Sequence, residues 1–443
     1  MPDARPRHDR RTFLRRCASG AAAAAAGSML ASAQSASYSS SRPSIADLAT
    51  APGHVDDEAY WALVRRQFSL EPGLTYLNNG GLGPSPHAVV ETITRELLDL
   101  ERTSETGHDR VAAVRKTASS FLHCDESELA ITRNATEGMN CITRGLSLSA
   151  GDEVLLTTHE HPGGAMPWVA QAKHGGIKLN LFDPGTGGAD TLNRLAAAIT
   201  PRTRIVVVSH VTCTTGLRLP VQEIAAFCRA RDILSAIDGA QAIGMLPVDL
   251  HAIGCDFYVA SGHKWLLGPK GTGLLCIRRQ RLGQWRPPYV GAYSDQTYDL
   301  DEGTLEYVSE ARCVEYGTRN TPLRLGLQAA IEFINTIGIA RVAARGQALA
   351  NYLQSRLEAP GVFDVLTPRP PEASGAMVTF RLKDRPMDPW KWANALRSDH
   401  NIRVRPVGEH KLNAVRVSTH VYNTYEQLDC LIAALQTLLN GEG

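Results

Sequence analysis

Three short stretches combine residue types that do cofactor chemistry, and each follows an apolar run of strand length. In Ser261-Gly262-His263-Lys264-Trp265, a lysine comes just after Phe257 to Ala260. A lysine drawn into a partly buried place loses solvation, and its pKa falls. Its neutral amine is then a nucleophile able to form a Schiff base. In Asp238-Gly239-Ala240-Gln241, a carboxylate sits at the tip of Ile233 to Ile237. A carboxylate in that position needs a partner, and a protonated ring nitrogen suits it. Asn134-Ala135-Thr136-Glu137-Gly138 opens a helix after Leu129 to Thr132. Thr136 can cap that helix, and the free N–H groups beside it lie at the positive end of the dipole, where phosphate binds. Singly, each stretch also suits a plainer role: a surface lysine, a capping aspartate, an ordinary helix cap. Together they ask for a ligand with an aldehyde, a basic ring nitrogen and a phosphate. Pyridoxal phosphate has all three.

Open α/β sheets bind ligands beyond the ends of their strands, and the surrounding pattern is of that kind. From about residue 76 to 290, strand-like and helix-like segments alternate, which predicts a mainly parallel sheet covered by helices. Leu129 to Thr132, Glu153 to Thr157, Ile205 to Ser209, Ile233 to Ile237 and Phe257 to Ala260 read as strands. Ile205 to Ser209 has the β-branched, apolar character of a strand buried on both faces. Val221 to Arg231 and Leu323 to Ile337 show helical spacing. Ala376 to Leu382 and Ala414 to Ser418 read as strands and Thr424 to Leu439 as a closing helix, so a smaller α/β lobe is expected. Gly268 to Gly273 does not meet G-x-x-x-x-G-K-[ST] and reads as a tight turn. Met139, Met166 and Met245 read as core filler.

With 43% hydrophobic and 21% charged residues over 443 positions, the composition excludes whole-chain disorder, collagen and coiled coil. A balance of 46 Lys+Arg against 45 Asp+Glu argues against a basic nucleic-acid binder. The charge is uneven. Residues 1–33 hold six arginines and two aspartates, which leaves 40 basic and 43 acidic residues beyond them. Arg10-Arg11-Thr12-Phe13-Leu14, the run Ala21 to Ala26 and the site Ala31-Ser32-Ala33 read as a twin-arginine signal peptide over 1–33. Export by that machinery to the periplasm or beyond is expected, with 34–55 a Ser-rich flexible connector. No later stretch reaches the ~20 apolar residues that span a bilayer, so no stable membrane anchor is expected. The twin-arginine route carries folded chains. The eight cysteines outside the leader show no C-x-x-C and read as mostly buried free thiols, with Cys430 in the core.

Residues from about 56 to 440 resemble the class V aminotransferase group of fold type I pyridoxal-phosphate enzymes. The likeness runs in order through Tyr76-Leu77-Asn78-Asn79-Gly80-Gly81, Asn134-Ala135-Thr136, Glu160-His161, Ser209-His210-Val211, Asp238-Gly239-Ala240-Gln241, Ser261-Gly262-His263-Lys264-Trp265 and Gly317-Thr318. It implies an α/β fold: a large cofactor domain over 56–320 with a mainly parallel seven-stranded-type sheet, and a small C-terminal domain over 321–443. It implies that Lys264 is the Schiff-base lysine and the acid/base at the substrate Cα. Asp238 resembles the ring-nitrogen partner and Gln241 the donor to the ring hydroxyl. Ala135, Thr136, Ser261 and His263 match the phosphate cradle. His161 falls where desulfurases stack an imidazole on the ring. Thr318 matches a residue that reaches the phosphate of a neighbouring subunit, which implies a homodimer. Arg416 matches the arginine that holds the substrate α-carboxylate through two parallel bonds, and Asn79 falls on the substrate side.

Two details separate branches of the group. Desulfurases carry a nucleophilic cysteine on the loop before that arginine, and here Arg405-Pro406-Val407-Gly408-Glu409-His410-Lys411 has none. The run from Ser209 to Gly216 resembles the isopenicillin N epimerase-like branch, although His161 leans away from it. The expected function is therefore chemistry at the α-carbon of an amino-acid-like compound, as an aminotransferase or an epimerase-like enzyme. A C–S lyase or desulfurase-type enzyme lacking the loop cysteine and an exported non-catalytic binding protein are the alternatives. His159-x-His161 also has the look of a metal pair, but without a third ligand no metal is expected.

Overall fold

The computed structural model describes Leu48 and residues 57–441. The expected signal peptide lies outside the described residues, as does all of the connector except Leu48. Leu48 itself is fully buried in a cluster with Tyr60 and Trp61.

A two-residue strand, β1 (Thr75–Tyr76), precedes the main sheet. That sheet is built from β2 (Leu129–Thr132), β3 (Glu153–Thr157), β4 (Lys178–Phe182), β5 (Thr203–Ser209), β6 (Leu234–Asp238), β7 (Phe257–Ser261) and β8 (Gly273–Ile277). The order is β2-β8-β7-β6-β5-β3-β4. Pairs from β4 to β7 are parallel, and only β8 runs against its neighbours. Alternate residues feed two separate cores. Val206, Ile237, Tyr258 and Leu274 face one layer, whereas Val207, Ala236, Val259 and Leu275 face the other. Each valine, leucine or isoleucine among them contributes roughly 1.5–3 kcal/mol on burial. Two-sided burial is why these strands read as continuous apolar runs.

A hairpin of β9 (Asp295–Asp299) and β10 (Thr304–Tyr307) follows. The last strands are β11 (Phe363–Val365), β12 (Met377–Leu382), β13 (Ile402–Arg403), β14 (Arg405–Val407) and β15 (Ala414–Ser418). Four of them form an antiparallel sheet, β11-β12-β15-β14, while β13 pairs in parallel with β1. That pairing and the bridge Asn78↔Ser418 bring the Tyr76–Gly81 stretch against the strand carrying Arg416. The helix Thr321–Ile337 packs on His87–Thr103 and Val111–Leu122. Among the described residues no single helix is long and apolar enough to cross a membrane.

Several expectations shift. The helix from Val221 ends at Arg229, because the Ile233 N–H turns back to the Cys228 carbonyl at 3.0 Å. Asp232 takes a left-handed φ of 54° there, so β6 starts at Leu234 and runs through Asp238. β4 carries no continuous apolar run, because it is a partly exposed edge strand. β8 follows directly on the Gly268–Gly273 turn, which masks its start. Met166 is 65% exposed rather than core, and Cys430 is exposed on its helix. Six of the other cysteines are buried free thiols, and Cys124 is half-buried.

Candidate active site

The ends of β2, β6 and β7 and the start of the helix Pro162–Gly175 enclose a cavity of about 330 Å³. Asp238, Gln241, Ser261, His263 and Lys264 line it, with Ala135 and Thr136 at one end and Arg405 and Arg416 also in its wall.

Lys264 follows β7 and is 9% exposed. Burial pushes its pKa down, and the charge of Asp238 partly opposes that. Its Nζ has no hydrogen-bond partner among the described residues. Asp238 ends β6, and its Oδ1 accepts from the Ala240 N–H at 2.9 Å. Burial raises its pKa against the pull of Lys264. Its Oδ2 faces Gly164, where a Cβ would approach to 3.0 Å, so that glycine keeps the carboxylate clear.

His161 caps the helix Pro162–Gly175, its Nδ1 accepting from the Gly163 N–H at 3.0 Å. Burial and then Lys264 lower its pKa to about 4. The ring is therefore neutral near pH 7 with its proton on Nε2, and His161 lines the cavity. His159 turns elsewhere: its Nδ1 lies 2.6 Å from Thr214 Oγ1. Gln241 Nε2 donates to the Gly80 carbonyl at 2.9 Å and Oε1 accepts from Trp265 Nε1 at 2.7 Å, which leaves one amide N–H over.

Asn134, rather than the expected Thr136, caps the helix Ala135–Gly145: its Oδ1 accepts from the Glu137 N–H at 2.8 Å, and Thr136 lies inside the first turn. The Ala135 N–H reaches Ser261 Oγ at 3.3 Å. Gly273 allows β8 to pass this cap, since a Cβ there would sit 2.6 Å from Asn134 Cα. Nδ1 of His263 is buried without a partner. A buried amine, a carboxylate oxygen without a donor, and a helix start beside a serine and an orphaned imidazole nitrogen fit the aldehyde, ring nitrogen and phosphate of pyridoxal phosphate.

Arg416, on β15, is 1% exposed. Its Nη1 donates to the Cys213 carbonyl at 2.6 Å and its Nη2 to Asn78 Oδ1 at 3.2 Å, while Nε is buried without a partner. Burial and then Arg405 lower its pKa, yet a guanidinium stays charged at neutral pH. A buried cation held only by neutral oxygens is incomplete without an anion.

Two expected residues stand apart. Asn79 is fully buried outside the cavity wall, its Oδ1 accepting from Tyr422 OH at 3.0 Å, and its neighbours Gly80 and Gly81 take the wall positions. Thr318, expected to reach a neighbouring subunit's phosphate rather than this chain's own, lines a different cavity with Tyr316 and Arg133. Conversely, Arg405 enters the site although no motif marks it. It faces Arg416 directly across the β14–β15 pair, and such register is not readable from one strand alone.

Glu160 is also new. It is buried beneath Asp238 and accepts from Thr157 Oγ1 at 2.6 Å, the Ser209 N–H at 3.0 Å and Ser209 Oγ at 2.7 Å. Burial raises its pKa from 4.5 to about 7. The folded state therefore holds a proton that the unfolded state has released between those values, and stability falls as pH rises from 4.5 to about 7. Glu160→Gln should flatten that decline, which amounts to about 3 kcal/mol at most. Melting temperature against pH checks it; an unchanged slope in the variant would count against this assignment.

A fold type I pyridoxal-phosphate enzyme is the class that this sheet and this cavity define. The chain belongs to the class-V aminotransferase family, whose profile matches residues 75–431. It is 33% identical over 398 residues to isopenicillin N epimerase of Amycolatopsis lactamdurans, covering 85% of this chain and 98% of that one. Among solved structures it is similar to the apo cysteine desulfurase of Thermococcus onnurineus NA1, with a TM-score of 0.79, 26% identity, and 88% and 100% coverage. A C-DES variant with glycine covalently linked to its pyridoxal-phosphate cofactor gives a TM-score of 0.76 and 30% identity, with 84% and 98% coverage.

Proposed function

We propose that this enzyme acts at the α-carbon of an amino-acid-like substrate, as an aminotransferase or an isopenicillin N epimerase-like enzyme. The cofactor is pyridoxal phosphate, which when bound supplies the electron sink for negative charge at Cα. One observation carries the reading: an unpartnered buried amine, Lys264, and a buried guanidinium without a counter-ion, Arg416, share one cavity.

In this reading Arg416 binds the substrate α-carboxylate and fixes which Cα bond faces Lys264. Nζ of Lys264 takes the Cα proton, because burial keeps the amine from holding its own proton tightly. Asp238 holds the proton at the ring nitrogen. Ala135, Thr136, Ser261 and His263 hold the phosphate, Gln241 donates to the ring hydroxyl and His161 donates from Nε2. Where a proton returns would set the outcome. Inversion would need a second acid to protonate the opposite face of Cα while Lys264 keeps the proton it took. Amine transfer would need Lys264 to pass that proton to the bound cofactor and water to release the keto acid, leaving the nitrogen behind.

A β-eliminating C–S lyase reading is favoured by the desulfurase likeness, although the 405–411 loop lacks a cysteine. Export by the twin-arginine route to the periplasm belongs to the same proposal and rests on the leader residues. The homodimer rests on the match at Thr318.

Solvent-deuterium exchange at Cα over a panel of L- and D-amino acids, with and without an α-keto acid, tests this. Exchange that inverts the centre means epimerisation, and exchange with amine loss only when the acceptor is present means transfer. No exchange with any member would sink the proposal.

A further inference from the structure

Arg405 adds a second guanidinium to the site. It projects from β14 opposite Arg416 on β15, and both donate to one oxygen, the Cys213 carbonyl, at 3.2 Å from Arg405 Nη1 and 2.6 Å from Arg416 Nη1. The two cations thus lie side by side in one cavity wall. They differ in depth: the Arg416 side chain is fully buried, whereas that of Arg405 is 22% exposed. One cation suffices for one α-carboxylate, so the second needs its own explanation.

The occupant of Arg405 in this structure supplies it. Its Nη2 donates to Glu409 Oε1. Glu409 opens a tight turn, Glu409–Lys411, in which His410 and Lys411 take left-handed φ values of 52° and 58°, with Asn413 following at 47°. Those conformations cost energy for residues other than glycine. A carboxylate is therefore seated on Arg405 by a strained segment, next to the place where a substrate carboxylate meets Arg416.

We infer that Arg405 is a specificity-determining residue that receives a second carboxylate of the substrate, so that the site takes acidic, dicarboxylic amino-acid-like compounds. Glu409 holds the Arg405 fork until such a ligand displaces it, and the turn relaxes as Glu409 leaves. A bidentate carboxylate suits the planar guanidinium at both positions. The inference rests on the proposed reading of the cavity as the substrate site.

Calorimetric titration of the holoenzyme tests it without turnover, using glutarate and adipate against butyrate and hexanoate. The dicarboxylates should bind about tenfold to hundredfold more tightly, as expected for one added charged hydrogen-bonding contact. Arg405→Gln should erase that preference, whereas Arg416→Gln should weaken both ligand classes together. Glu409→Gln should tighten dicarboxylate binding, a gain that misfolding cannot produce. Equal affinity for the two ligand classes, or a preference that survives Arg405→Gln, overturns the inference. Dicarboxylate preference without α-proton exchange by any amino acid would leave this inference standing and sink the catalytic reading. Exchange of neutral amino acids without that preference would do the reverse.

Discussion

Replacing Lys264 with alanine should lower turnover on the order of 10⁴-fold or more while the protein stays folded. The size follows from two roles in one side chain. In the proposed reading Lys264 is both the nucleophile for the cofactor aldehyde and the acid/base at Cα, and no other lysine lines the cavity among the described residues. Arg405 and Arg416, the other cations in the wall, are guanidinium groups rather than amines. The fold tolerates the change because Nζ makes no hydrogen bond, and its burial opposes its charge. Initial rates and a thermal melt, run side by side, check both halves. Retention of even a tenth of the activity would remove Lys264 from its role.

Replacing Asp238 with asparagine should lower turnover by about 10²–10³-fold, the range for losing one preorganised electrostatic group. The substitution is nearly isosteric. An asparagine oxygen still accepts from the Ala240 N–H, so the turn after β6 survives. The charge does not survive, and the new NH₂ group meets a ring nitrogen that should itself donate. The variant also removes the charge that holds up the Lys264 pKa. The acid limb of the rate profile should therefore move to lower pH as well as the plateau falling. Rates across pH with saturating cofactor check this. A fall in cofactor affinity at unchanged turnover would mean that Asp238 only anchors the ring.

What could be read from sequence divides by physical cause. The strands buried on both faces were legible, since Ile205 to Ser209 and Phe257 to Ala260 have no reason to be apolar throughout except burial. So were the groups at strand ends, because Asp238 and Lys264 are conspicuous beside such runs. β4 was not, because an edge strand with half-exposed residues carries no such signature. Arg405 was not, because its importance comes from the residue opposite it in a β pairing. Glu160 was not, because only the fold brings Thr157 and Ser209 to the same carboxylate. Met166 shows the limit from the other side: its type predicts core, and its place on a helix face leaves it in solvent.

The central claim is that Lys264 carries pyridoxal phosphate at the floor of a cavity that also holds Asp238 and Arg416. Borohydride reduction of the purified wild-type protein, followed by peptide mass spectrometry, tests it most directly. The account predicts the phosphopyridoxyl mass on the peptide containing Lys264 and on no other. A label on another lysine, or none on protein that has been supplied with the cofactor, would contradict it.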